Sequence, residues 1–164
     1  LPALGANPHL EAVALWHPRQ ERLDATCASS GLQGYTDWDA LLADPAVDAV
    51  IIATPPQPRH ALALGALQAG KHLLEKPVAL NAQQVAELQR EAIQRRLSVA
   101  VDFEYRAVPL FQQAARLLQN GAVGTPWLVK MDWLMSSRAN PHRAWSWYSQ
   151  ADQGGGVILS LIHI

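Results

Sequence analysis

The 164-residue chain carries a single cysteine, Cys27, so no disulfide can close within it. A lone thiol suits a reducing cytosol, and a cytoplasmic location is the expectation. No metal or redox spacing surrounds Cys27, which reads as a small residue inside a helix. Neither sign of charge is in excess: 13 Lys and Arg face 14 Asp and Glu, for a net charge of −1. Lacking a basic stripe, the sequence shows no footprint for nucleic acid. No apolar run is long enough to span a bilayer, and no signal peptide opens the chain, so no membrane partner is expected. Repeats and low-complexity tracts are missing too. So is an initial Met: Leu1-Pro2-Ala3-Leu4 reads as the tail of a helix, and a piece of a longer protein is expected.

What is present alternates. Ala12 to Leu15 is a short apolar run fit for a buried strand. Arg19 to Ser29 and Asp37 to Leu42 read as helices. Val47 to Ala53 (V-D-A-V-I-I-A) is the clearest strand, β-branched and nearly all apolar, as suits a central parallel strand covered on both faces. Thr54-Pro55-Pro56 stops it. Arg59 to Ala69 is an Ala- and Leu-rich helix closed by Gly70. His72-Leu73-Leu74 is the next strand. Asn81 to Arg96 is a long amphipathic helix, with Asn81 placed to cap it and Gln84 placed for a return bond. Ser98 to Val101 is a further strand.

Strand–helix alternation over residues 11–102, with crossovers long enough for parallel pairing, predicts an α/β fold with a doubly wound parallel sheet. The character then changes. Val108 to Asn120 reads as a helix, Trp127 to Trp133 as a strand solvated on one side, and 136–153 as polar, aromatic and irregular. A domain boundary is expected near Asp102.

Open α/β sheets bind ligands beyond the carboxyl ends of their strands. One strand here ends at Ala53-Thr54-Pro55-Pro56, and the next at Glu75-Lys76-Pro77. A hydroxyl, a rigid turn, a carboxylate and an ammonium thus share one rim. An ammonium there can hydrogen-bond a substrate hydroxyl and favour its alkoxide, as hydride removal from an alcohol carbon requires. Glu75 could orient the cofactor ring or fix Lys76. Alone, Glu-Lys-Pro is a common charged pair before a turn; its position after strand–Thr-Pro-Pro–helix–Ala-Gly-Lys-His gives it weight.

Three segments, A-V-D-A-V-I-I-A-T-P-P, A-L-Q-A-G-K-H-L-L-E-K-P-V-A-L and L-L-Q-N-G-A-V-G-T-P-W-L-V-K-M-D-W, together resemble the Gfo/Idh/MocA oxidoreductases over residues 1 to about 158. The resemblance implies a Rossmann-type sheet lacking its first strand (1–102), followed by the start of an α+β C-terminal domain (103–158). It implies NAD or NADP as cofactor, a small-molecule substrate such as a sugar or polyol, and a homo-oligomeric parent. Lys76 would be the catalytic residue and would also meet the cofactor. Thr54, Pro55, Glu75 and Pro77 would line the cofactor rim, and a cis peptide before Pro77 would fit. No metal is implied.

Several departures qualify this. The G-x-G-x-x-G phosphate loop is absent, and would lie upstream of Leu1. The second strand usually ends in an acid that bonds the ribose; here the run is Leu15-Trp16-His17-Pro18-Arg19. Arg19, with His17, could meet a 2′-phosphate and favour NADP, or form a solvated turn. Arg59 stands where the family often has His, and His60 reads as a helix-surface residue. The segment from Gly70 to Glu75 is one residue shorter than the resemblance implies. Arg106 keeps the arginine of an N-x-R-like signature near the nicotinamide, though a linker role is equally open. Trp145, Trp147 and Tyr148 could line a substrate pocket or pack against it, and packing is the favoured reading. Leu159 to Ile164 matches a translated sequencing adapter, so His163 is not taken as a site residue. On the same fold, a non-catalytic dinucleotide sensor and a dinucleotide-assisted glycoside hydrolase or lyase are the alternatives.

Overall fold

The computed structural model describes residues 2–76, 79–130, 132, 142 and 144–155. It divides into two compact units, Leu1–Ala100 and Val101–Ile164.

The first unit runs α1 (Pro2–Gly5), β1 (Ala14–Trp16), α2 (Gln20–Ser30), β2 (Gln33–Tyr35), α3 (Trp38–Ala43), β3 (Ala49–Ile52), α4 (Pro56–Gln68), β4 (His72–Glu75), α5 (Ala82–Arg95) and β5 (Val99–Val101). β1 pairs in parallel with β2, setting Trp16 opposite Tyr35, and β3 pairs in parallel with β4. β5 lies beside β4. The fold is therefore α/β with parallel strands, as the alternation predicts. Among the described residues the strands form two sheets, β1–β2 and β3–β4–β5, with no strand joining them.

The core is built on one face of the second sheet. Val50 and Ile52 of β3 and Leu73 of β4 meet Ala63, Ala66 and Leu67 of α4 and Leu88 and Ala92 of α5. Leu41 and Leu42 of α3 join them, with Trp16 and Trp38 packed against the cluster. The expectation that both faces of β3 are covered is corrected. Its burial alternates, and Ile51 is 52% exposed, because no described element covers the face that Ile51 shares with Ala49.

Local chemistry fixes the ends. Asn81 Oδ1 accepts from Gln84 N at 3.0 Å and caps α5. The return bond falls one residue earlier than a capping box: Gln84 Oε1 accepts from Leu80 N at 3.0 Å. At the amino ends of the strands, Lys71 Nζ donates to the carbonyls of Asp44 (3.0 Å) and Val47 (2.7 Å). The Asp44 carboxylate accepts from Ala46 N and the Tyr35 hydroxyl, and its pKa is lowered by them in that order. Gly34 in β2 is a packing requirement: a Cβ there would sit 2.9 Å from Cys27 Sγ and 3.1 Å from Leu23 Cγ. The helix α2 is thereby held close against β2.

In the second unit a 3-10 turn (Glu104–Ala107) leads into α6 (Pro109–Gln119). The strand expected over Trp127 to Trp133 is not borne out in its described part. Residues 127–130 and 132 lie in no strand and are exposed, Trp127 to 92%. An alternating pattern needs a partner strand to become one, and none pairs with it among the described residues.

Arg96 closes α5 in the left-handed region, at φ 58° and ψ 40°, and is the one described non-glycine residue there. It is exposed, so its side chain gives little back. Arg96→Gly should raise stability by about 0.5–1 kcal/mol, read as a higher midpoint in urea with an unchanged slope.

Candidate functional site

The site follows from the register of β3 and β4. Ile52 lies opposite Glu75, so the two strands end side by side. Thr54 and Lys76 come just beyond those ends. Thr54 is partly buried, and its Oγ1 is sealed from solvent with no hydrogen-bond partner among the described residues. A buried hydroxyl without a partner is uncommon and fits a place where a ligand bonds. Pro55 is exposed. Lys76 is partly buried in the bend after β4. Pro77, and with it the peptide bond before it, lies outside the described residues.

Glu75 does not stand on the open rim. It is 0% exposed, on the same face as Leu73 two residues earlier, and so under α4. Neither carboxylate oxygen has a hydrogen-bond partner among the described residues. Burial pushes the carboxyl up to about 7, and the Arg59 guanidinium pulls it back toward the ordinary value. Arg59, in the first turns of α4, is 2% exposed. Its own pKa is lowered to about 10 by burial, against the pull of Glu75.

The neighbouring His60 is partly buried. Its Nε2 lies 3.0 Å from Glu87 Oε2 of α5, with the imidazole 19% exposed, outside good hydrogen-bond alignment. It belongs to the α4–α5 seam rather than to the strand ends.

At the end of β1, His17 N donates to Tyr35 O at 3.1 Å. Its Nδ1 accepts from Arg19 N at 3.0 Å, which leaves Nε2 as the protonated nitrogen of the neutral ring. Arg19 is exposed at the N-cap of α2. His17 and Arg19 thus form one turn at the carboxyl ends of β1 and β2, while Thr54 and Lys76 follow β3 and β4. Arg106 is exposed in the second unit. In that unit Trp147 and Tyr148 stack edge to face at 5.4 Å, while Trp145 is 77% exposed. His163 lies outside the described residues. Among the described residues no group of three or more His, Cys, Asp and Glu could hold a metal, and no helix is long and apolar enough to cross a membrane.

Residues 1–103 match the model of an oxidoreductase family with an NAD-binding Rossmann fold, GFO_IDH_MocA. The chain belongs to that family, and its first unit is the NAD(P)-binding type of domain. It is similar to an uncharacterized oxidoreductase, sll0816, of Synechocystis, at 43% identity over 98% of this chain and 44% of that protein. It is similar to a dTDP-3,4-didehydro-2,6-dideoxy-alpha-D-glucose 3-reductase of Streptomyces violaceoruber, at 30% identity over 98% of this chain and 46% of that one. Among solved structures, a mutant of the 3-ketoreductase KijD10 from Actinomadura kijaniata, in complex with TDP-benzene and NADP, superposes with a TM-score of 0.71 at 31% identity. That superposition covers 75% of this chain and 40% of the other. The chain spans less than half the length of these relatives.

Arg59, which the sequence marks only as standing where the resemblance puts a His, is the residue whose burial the sequence did not reveal.

The Glu75 carboxyl titrates higher in the folded chain (about 7) than its ordinary value of 4.5. The unfolded chain therefore gives up this proton first as pH rises. This group's contribution is most favourable below about pH 4.5, declines through the window up to about 7, and is level above it. Urea melts across that window should show a loss on the order of 1–3 kcal/mol, and Glu75→Gln should flatten the profile.

Proposed function

We propose that the chain is part of an oxidoreductase that moves hydride between NAD(P) and a hydroxyl or carbonyl carbon of a sugar, polyol or related small molecule. The observation that carries this is the side-by-side ending of β3 and β4, which brings a sealed hydroxyl and an ammonium to one edge of an NAD(P)-binding fold. Two named relatives support the substrate class, one a reductase of a nucleotide-linked deoxysugar and the other a 3-ketoreductase crystallised with NADP and TDP-benzene.

The bound nicotinamide would supply or accept the hydride. The chain's residues do the rest. Lys76 Nζ hydrogen-bonds the substrate oxygen. In reduction it donates to the carbonyl oxygen and passes it a proton; in oxidation its charge favours the alkoxide. Thr54 Oγ1 and the Pro55 turn hold the cofactor at the edge, and Glu75 acts from beneath rather than by touching it. Arg106 is a further cofactor contact in this reading. Arg19, oriented by His17, meets a 2′-phosphate, so NADP is the preferred cofactor. Product analysis discriminates the sensor and hydrolase alternatives: net cofactor oxidation or reduction supports the dehydrogenase.

In the full-length enzyme, Lys76→Ala should lower kcat by about 100- to 10,000-fold with substrate supplied at saturation. Turnover within threefold of wild type would remove Lys76 from the chemistry. Arg19→Ala should cut the preference for NADPH over NADH by about 10- to 100-fold, through the KM for NADPH rather than for NADH. An unchanged ratio would assign Arg19 to a solvated turn.

A further inference from the structure

We infer that Lys71 is a positioning residue for Lys76: its ammonium ties the start of β4 to the loop ahead of β3, and this tie selects the strand register that brings Thr54 and Lys76 to one edge. The inference deepens the reading above and rests on Lys76 being the proton-handling residue proposed there.

Lys71 is partly buried in the turn between α4 and β4, just ahead of the strand. Its amide donates to Ala66 O at 2.9 Å, which closes α4 and fixes where the side chain sets out. Its Nζ donates to Val47 O at 2.7 Å and to Asp44 O at 3.0 Å. The loop that supplies those carbonyls is itself held. Val47 N donates to Asp44 O at 3.2 Å, and the Asp44 carboxylate accepts from Ala46 N at 2.8 Å and from the Tyr35 hydroxyl at 2.9 Å. Val47 is 5% exposed, shortly ahead of β3. Strand pairing begins directly beyond the tie: His72 N donates to Asp48 O at 3.0 Å, and Ala49 lies opposite His72. Other contacts at the start of β4 run the opposite way. Leu73 N donates to Ser98 O, and His72 Nδ1 accepts from Ser98 N, so these bonds join β4 to the start of β5 rather than to β3.

The apolar pattern specifies this register only in part. β3 and β4 are four residues long each. A slip of one residue would turn the buried side chains to the open face, and the core opposes it. A slip of two leaves every side chain on its own face, because the pleat repeats every second residue. It would carry Lys76 about 7 Å along the strand direction and part it from Thr54. It would also bring Ala69 or Leu73 to the place of Lys71 beside the two carbonyls, and neither has a side-chain donor. The ammonium therefore distinguishes the observed pairing from the slips that facial alternation tolerates. Its bonds are charge-assisted, and so stronger than those of the neutral ladder that they support.

The test uses the full-length enzyme. Read by mass spectrometry, hydrogen exchange of the β3 and β4 amides should be faster by about tenfold or more in Lys71→Met, with the α5 amides within about twofold of wild type, and Lys71→Arg should restore protection. In the same variant kcat should fall by about 10- to 100-fold, with the KM for cofactor changed by less than about threefold, and Lys71→Arg should recover most of it. Adding Lys71→Met to Lys76→Ala should cost nothing further, because a residue that acts through Lys76 then has nothing left to position. Losses that multiply in the double variant overturn the inference, and so does unchanged exchange in β3 and β4. Should Lys71→Met not fold, NMR of the wild-type Lys71 ammonium decides: restricted motion supports the tie, and a side chain as mobile as a solvated lysine overturns it. If the exchange result holds while Lys76→Ala keeps full turnover, the functional reading fails and the tie between the strands stands.

Discussion

The parallel pairing of β3 with β4, Ile52 against Glu75, is the constraint on which the site depends. It brings two strands to an end at one edge. It sets Val50 and Leu73 side by side as the floor on which α4 and α5 pack. It also decides which side chains leave the core. On a pleated strand, Glu75 must share a face with Leu73, and Lys76 must be the first residue free of that alternation. Moving the pairing by one residue would expose Glu75 and bury Leu74 in place of Leu73. The apolar face makes such a slip costly, since it would carry the strand's whole buried set to the other side.

Much of this was legible in the sequence because the local signals agree with the global ones. Val50-Ile51-Ile52 is strand-forming and apolar, and Asn81 and Gln84 stand where an α5 cap needs them. Other elements were hidden for identifiable reasons. Residues 33–35 make a strand without a single β-branched side chain, and Gly34, which reads as a turn, is there to admit Cys27 and Leu23. α4 starts at Pro56, ahead of the Arg59 expected from the sequence, and Pro56 and Pro58 lie in its first turn. In a first turn they break nothing, since those N–H groups have no helical partner to lose.

The chemistry was legible differently. Lys76 stood out by the company it keeps along the chain, a pattern of segments rather than a spacing in space. Glu75 drew attention for the same reason and was given a place on the rim. Only burial reveals that its carboxylate lies beneath the sheet edge. Arg59 was noted only as standing where the resemblance puts a His, which says nothing of its burial. A cation in a helix is ordinarily a solvated one, and nothing in P-P-Q-P-R-H says that this side chain is 2% exposed. Periodicity predicts which face a residue takes, but not what the opposite element puts there.

The same proline-rich start has a consequence for charge at the edge. A helix N-terminus ordinarily offers four unpaired N–H groups to an anion. Along Pro55, Pro56, Gln57 and Pro58, at the N-cap and first turn of α4, only Gln57 has one to give. The aligned peptides still leave partial positive charge at this end, but with few donors through which to direct it. Orientation of a negative or polar group near β3 and β4 therefore falls to side chains. Arg59 is buried at 2% exposure, and Lys76 is the cation that follows the strand end. A site poor in backbone donors depends on how accurately one ammonium is held, so the chemistry proposed for this edge is sensitive to the backbone from which Lys76 departs.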